Sequence, residues 1–166
     1  MKLIACRMTI LATTLTIQLA AISIACADDH IQLFLERLLD RGYYDTAVDY
    51  LDYLEKSPTC PAEFRKQIPL EKAVILIEAS RGLRDLTKHE SYLDRAEVYL
   101  TDFAKSKPKP ELLARSEKLR AQLYFGRGIV YLRLAGSDRK TEKEKQELRG
   151  KARALLTSAS DTLEKN

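Results

Sequence analysis

The chain has 166 residues, 45% hydrophobic and 31% charged, with 6 Gly, 5 Pro and no Trp. That length fits one domain, and the formal net charge of +4 comes from interspersed signs, which excludes the one-signed basic footprint of a nucleic-acid-binding surface. No run of alternating β-branched residues stands between tight-turn dipeptides, which argues against a sheet-based fold.

Residues 1–27 differ from everything after them. Lys2 and Arg7 make a short positive start, and Met8 to Ala27 carries no charge. Ala25-Cys26-Ala27 then closes the stretch with small residues, just before Asp28 and Asp29. This is the layout of a secretory signal peptide cut after Ala27, so the chain is expected to be exported, to a periplasm or out of the cell. Two alternatives stay open. The uncharged run is long enough to span a bilayer as an uncut anchor, although Thr9, Thr13, Thr14, Thr16, Gln18 and Ser23 make it weakly apolar. Cys26 after Ile24-Ala25 partly matches a lipidation site, with Ser23 where a large apolar residue is expected. Removing Lys2 and Arg7 leaves 26 basic against 24 acidic residues, a balance of +2. Cys6 and Cys26 belong to the signal, so Cys60 stands alone in the mature chain and packing must supply the stability.

Helical periodicity runs through most of residues 28–166. The first helix, Asp29 to Arg41, sets Ile31, Phe34, Leu35 and Leu38 on one face. Asp28 or Asp29 can cap its start, and Gly42 suits a left-handed terminus. The second, about Tyr44 to Ser57, carries Ala47, Tyr50, Leu51 and Leu54 and stops at Pro58. The third runs from Pro61 to about Arg84, with a kink or restart expected at Pro69 because proline removes a donor inside it. Thr87 and Glu90 have capping-box spacing, opening a fourth helix to about Lys105. Pro108 and Pro110 precede a fifth, Glu111 to about Ala135, halted at Gly136. Thr141 and Glu144 form a second box, opening the last helix to about Glu164.

The helices repeat a register. Ala47, Tyr50, Leu51 and Leu54 recur as Ala96, Tyr99, Leu100 and Phe103, and again as Ala152, Leu155, Leu156 and Ala159. Lys56-Ser57 recurs as Lys105-Ser106, without a third copy. Any amphipathic helix shows apolar residues at such offsets. A small Ala leading all three sets points beyond that background to stacked repeats, in which no unit buries its own apolar face.

The first hairpin carries a resemblance. Phe34-Leu35, Leu38, Gly42-Tyr43-Tyr44, Ala47, Tyr50, Leu54 and Pro58 look like a tetratricopeptide repeat. Ile31 stands where that family often has Trp, and Leu35 precedes Glu36 where a small residue is common. The later hairpins match only in their second helices, and the whole region resembles the N-terminal part of long exported proteins of this type. The resemblance implies an all-α stack of hairpins at about 29–57, 61–105 and 110–164, wound as a right-handed solenoid. It also implies a concave side, lined by first-helix residues, that binds a protein or peptide segment. On the matching hairpin these residues are Gln32, Glu36 and Asp40.

No catalytic constellation accompanies these helices. His30 and His89 lack ligand spacing for a metal, and lone helix-start histidines are expected to be solvated. Cys60 with His89 lacks any oxyanion element. Gly126-Arg127-Gly128 lies inside a helical stripe with no preceding strand, so it reads as small residues at a helix crossing and not as a phosphate loop. Asp49 with Asp52 reads as solubilising charge, and the tyrosines as core or rim. The Lys/Arg stretch from Arg139 to Lys151 is interleaved with Glu142, Glu144 and Glu147, which supports a helix and argues against nucleic-acid or lipid binding. The expectation is thus an exported, non-catalytic scaffold for protein–protein interaction, with no cofactor, metal or small-molecule substrate. A structural N-terminal cap or truncated fragment of a larger repeat protein is the alternative, and the membrane enters only through an uncut anchor or a lipidated Cys26.

Overall fold

The computed structural model describes residues 30–164, and the signal segment, its cleavage point, the Cys26 alternative and the Asp28/Asp29 cap lie outside the described residues. Among the described residues there are six helices: α1 over 30–40, α2 Tyr44–Lys56, α3 Ala62–Arg81, α4 Leu86–Lys105, α5 Pro110–Ala135 and α6 Glu142–Glu164. The all-α expectation holds, and no strand occurs among the described residues. None of the described helices is long and apolar enough to cross a membrane.

Local chemistry sets most of the boundaries. Gly42 has φ +72° after α1, and the Gly42 and Tyr43 amides donate to the Leu39 and Leu38 carbonyls at 2.9 Å each, closing the helix end as a Schellman turn. Pro110 occupies the first turn of α5, where its missing N–H costs nothing. At α6, the Thr141 amide donates to the Glu144 carboxylate at 2.8 Å and the Glu144 amide to the Thr141 hydroxyl at 3.4 Å. The second capping box is therefore formed. The Thr141 amide and hydroxyl hold the Glu144 carboxyl below its ordinary pKa.

Two expectations are corrected. Asp85, not Thr87, caps α4: its carboxylate accepts from the Thr87 and Lys88 amides at 2.9 and 3.3 Å. An Asp two residues upstream presents an ionised acceptor to the free N–H groups of the first turn, which outcompetes a hydroxyl already inside the helix. Of the kink or restart expected at Pro69, the restart does not occur, because α3 runs unbroken from Ala62 to Arg81. A proline inside a helix costs about 3 kcal/mol. Its flanking side chains Ile68 and Leu70 are fully buried, and two such burials contribute about 1.5–3 kcal/mol each, enough to offset it.

Packing follows chain order. Helix α2 packs on α3, α3 on α4, α4 on α5 and α5 on α6, while α3 also meets α5. The most extensive of these contacts are α5 with α6 and α3 with α4. Helix α1 sends Ile31 and Leu35 into the common core and sets Phe34 edge-on to Tyr50, with ring centroids 4.8 Å apart. The three small residues of the repeated register, Ala47, Ala96 and Ala152, are each 0% exposed. On α5, a Cβ added at Gly128 would lie 2.9 Å from Leu156 Cγ and 3.5 Å from the Ala152 carbonyl oxygen, so α5 and α6 approach closely there.

Ion pairs tie helices across these contacts. Lys72 of α3 is only 4% exposed and reaches both Asp52 and Glu55 of α2 at 2.6 Å. Its ammonium also lies 5.4 Å from the ring centroid of Tyr99 on α4. Burial lowers the Lys72 pKa, but the hydrogen bonds that its ammonium donates to Asp52 and Glu55 outweigh it and leave the net value raised. The pair's contribution is therefore complete below the ordinary lysine pKa and is lost only as pH rises through the raised one. Asp52 is thus not merely solubilising. Arg127 of α5 pairs with Glu97 and Asp94 of α4, and Arg115 of α5 grips Glu71 of α3 at 2.6 and 3.2 Å.

Leucine at position 47 must overpack a fully buried site, whereas Ala62 is exposed at the start of α3. Ala47→Leu is expected to destabilise the protein by about 1–3 kcal/mol and Ala62→Leu to leave it near wild type. Thermal melts followed by circular dichroism measure both, and equal shifts contradict the packing assigned to Ala47.

Candidate functional site

The expected binding face lies on α1. Gln32, Glu36 and Asp40 are spaced four apart, so they stack along one side of the helix, and all three are exposed. Leu33 and Phe34 beside them are each 45% exposed, giving the polar strip an apolar edge. Ile31 and Leu35, on the other side, are buried in the core and hold the strip in place.

The residues weighed for chemistry remain scattered. Cys60 is buried, and its thiol donates weakly to the Pro61 carbonyl at 3.6 Å. Among the described residues, no group of three or more His, Cys, Asp or Glu side chains is placed to hold a metal ion. Gly126-Arg127-Gly128 lies within α5 and presents its two glycines to different helices. A Cβ at Gly126 would meet Leu93 of α4, while one at Gly128 would meet Leu156 of α6. In the basic stretch, Lys145 pairs with Glu142 and Lys151 with Glu147, both at 2.9 Å. Tyr43 and Tyr53 are exposed, and the other six tyrosines are partly buried.

A second site was not foreseen. Helices α3, α4, α5 and α6 line a half-open cavity of about 660 Å³, within the range of small-molecule sites. Its wall is mainly apolar, built from Ile77, Leu93, Phe125, Ile129, Leu156 and Leu163. Arg81, His89 and Arg133 supply its charge-bearing groups, and no carboxylate side chain lines it.

His89 corrects the expectation of a solvated helix-start histidine. It lies in the first turn of α4 yet is only 5% exposed, because α5 crosses over it at Gly126. Neither ring nitrogen has a hydrogen-bond partner. Leaving such a group unpaired in the interior costs about 1–3 kcal/mol. Burial pushes the His89 pKa below its ordinary value, and the positive charge of Arg133 pushes it the same way. Arg81 donates to the Glu78 carboxylate and the Gln122 side-chain carbonyl, whereas Arg133 forms no ion pair among the described residues.

No family model, curated protein or solved structure matches the chain. The two sites therefore rest on their geometry alone.

The His89 shift fixes a pH dependence. A histidine whose folded pKa is depressed contributes stability that is complete above the unfolded value, and that contribution is lost as pH falls through the folded one. The charged groups lining the cavity with His89 are Arg133 of α5, whose charge opposes its protonation, and Arg81 of α3, which is paired with Glu78. Acidification below the ordinary histidine range should therefore lower the denaturation midpoint of wild-type protein more steeply than that of His89→Leu. Parallel pH profiles for the two proteins would contradict this account of the buried imidazole.

Proposed function

We propose that the chain is an exported, non-catalytic scaffold of tetratricopeptide-like hairpins that captures a protein or peptide segment. The observation that carries this reading is the shared burial of the repeated register. Ala47, Ala96 and Ala152 are all fully enclosed, and Leu54, Phe103 and Ala159 are buried at the equivalent later offset, while between them Leu51 and Leu100 are buried and Leu156 is partly buried. The leading and closing positions of the register thus meet similar burial in all three copies, which supports stacked units of a repeat. The extensive α3–α4 and α5–α6 contacts fit pairing of those helices within hairpins, and the smaller α2–α3 and α4–α5 contacts fit stacking between them. Consecutive hairpins in this arrangement wind as a right-handed solenoid.

The binding face is the α1 strip of Gln32, Glu36 and Asp40. Its two carboxylates and one amide, bordered by exposed Leu33, suit an extended partner segment that offers basic or amide groups beside an apolar residue. Replacing exposed charges there leaves the core side of α1 intact. Glu36→Lys combined with Asp40→Lys should abolish co-purification of the partner from the exporting cell while keeping the wild-type melting curve. Retention of the same partner by this variant refutes the assigned face, and self-association in place of any partner favours a structural cap.

A further inference from the structure

We propose that the cavity between α3, α4, α5 and α6 is a binding site for a long-chain aliphatic carboxylate, with the acid group held by His89 and Arg133 and the tail lying along α5 and α6. The site is distinct from the α1 strip and does not depend on its role.

The first observation is the unpartnered imidazole. His89 is 5% exposed, both of its nitrogens lack hydrogen bonds, and it lines the cavity. Its Nε2 lies 3.9 Å from where a Cβ at Gly126 would stand, so on that side the ring nitrogen faces a glycine and no polar side chain. A ligand oxygen brought to the ring from the cavity gives the imidazole a partner that the protein does not supply.

Charge is the second observation. The lining contains two arginines and the histidine but no acidic side chain. Arg81 is already occupied by Glu78 and Gln122, whereas Arg133 has no carboxylate among the described residues and its positive charge is felt at His89. An anionic group between Arg133 and His89 neutralises that repulsion and accepts charge-assisted hydrogen bonds from both.

The wall is the third observation. Apart from these polar groups it is aliphatic or aromatic, and two of its residues, Phe125 and Leu163, remain more than half exposed at 56% and 54%. A hydrocarbon tail covers them. A purely apolar helix docking here covers the same side chains but leaves both His89 nitrogens and Arg133 unpaired, so an amphipathic anion fits the site better.

The test uses the full-length chain, purified as the cell processes it, titrated with the fluorescent polyene fatty acid cis-parinarate. Bound probe is then displaced with hexadecanoate or hexadecan-1-ol. The chain lacks tryptophan, so the probe emission is free of tryptophan background. The expected result is one probe per chain, with hexadecanoate displacing it at least tenfold more effectively than the alcohol. Arg133→Gln, a change at an exposed residue, should weaken hexadecanoate about tenfold, as loss of one charge-assisted bond implies. The same variant should leave the alcohol unchanged, and Arg139→Gln, outside the cavity, should alter neither. His89→Leu should likewise erase the preference for acid over alcohol. The proposal is overturned if wild-type protein binds no probe, if acid and alcohol compete equally, or if Arg133→Gln matches wild type. A dimer whose formation excludes the probe assigns the cavity to a second copy of the chain, and that also overturns it.

Discussion

Everything in this fold leans on the enclosure of α3. Its buried residues, among them Phe64, Ile68, Leu70, Lys72, Ile75 and Leu76, cover most of the circumference of the helix and leave one polar strip of Glu63, Gln67, Glu78 and Arg81. Such a helix can leave only that strip in water, so its other sides must be covered. Helices α2, α4 and α5 all contact it. That demand explains why Pro69 fails to break the helix. It also explains why a lysine can sit in the interior, where two carboxylates of α2 and the Tyr99 ring of α4 close around the Lys72 ammonium. Removing one partner of such a group would strand a charge, so the arrangement fixes register more than it adds net stability.

Close approach is the second constraint, and it is met by small residues. Ala47, Ala96 and Ala152 disappear completely into the interior, and Gly128 leaves no room for even a methyl group against Leu156. Gly126 does something different. It faces α4, where an added Cβ would just touch Leu93 and His89, and it lies on the cavity lining. Two glycines separated by a single residue thus serve contacts with two different helices, because positions two apart point to nearly opposite sides of a helix. The cations flanking these contacts are treated just as differently. Arg127 is held by Glu97 and Asp94 on α4, while Arg133, nearly two turns later, faces the cavity without such a partner.

The helices were legible in the sequence because their signals are local. Apolar spacing, Gly42, Pro58, Pro110 and the Thr141–Glu144 pair act within a few residues, and the boundaries of α2, α5 and α6 fall where they point. The errors arose where a distant helix decides the outcome. His89 reads as a solvated helix start until α5 is laid across it. Pro69 reads as a kink or a restart, and the restart is excluded only once the burial of Ile68 and Leu70 is known. Asp85 is the exception, a local signal that competes with the Thr87–Glu90 spacing two residues later and wins the cap. The α1 strip was visible as a polar face, since exposure follows from periodicity. The cavity was not, because its residues come from four helices and share no motif. The only hint lay in a histidine and a glycine on helices that the repeat pattern did not pair.

Enclosure of α3 by three neighbours carries a thermodynamic consequence, since helices that share one buried partner cannot melt independently. Scanning calorimetry of the purified chain tests this most directly. The account predicts a single transition in which the calorimetric enthalpy equals the van't Hoff enthalpy. Two resolved transitions, or a calorimetric enthalpy well above the van't Hoff value, would show that hairpins unfold separately and would contradict a core organised around α3.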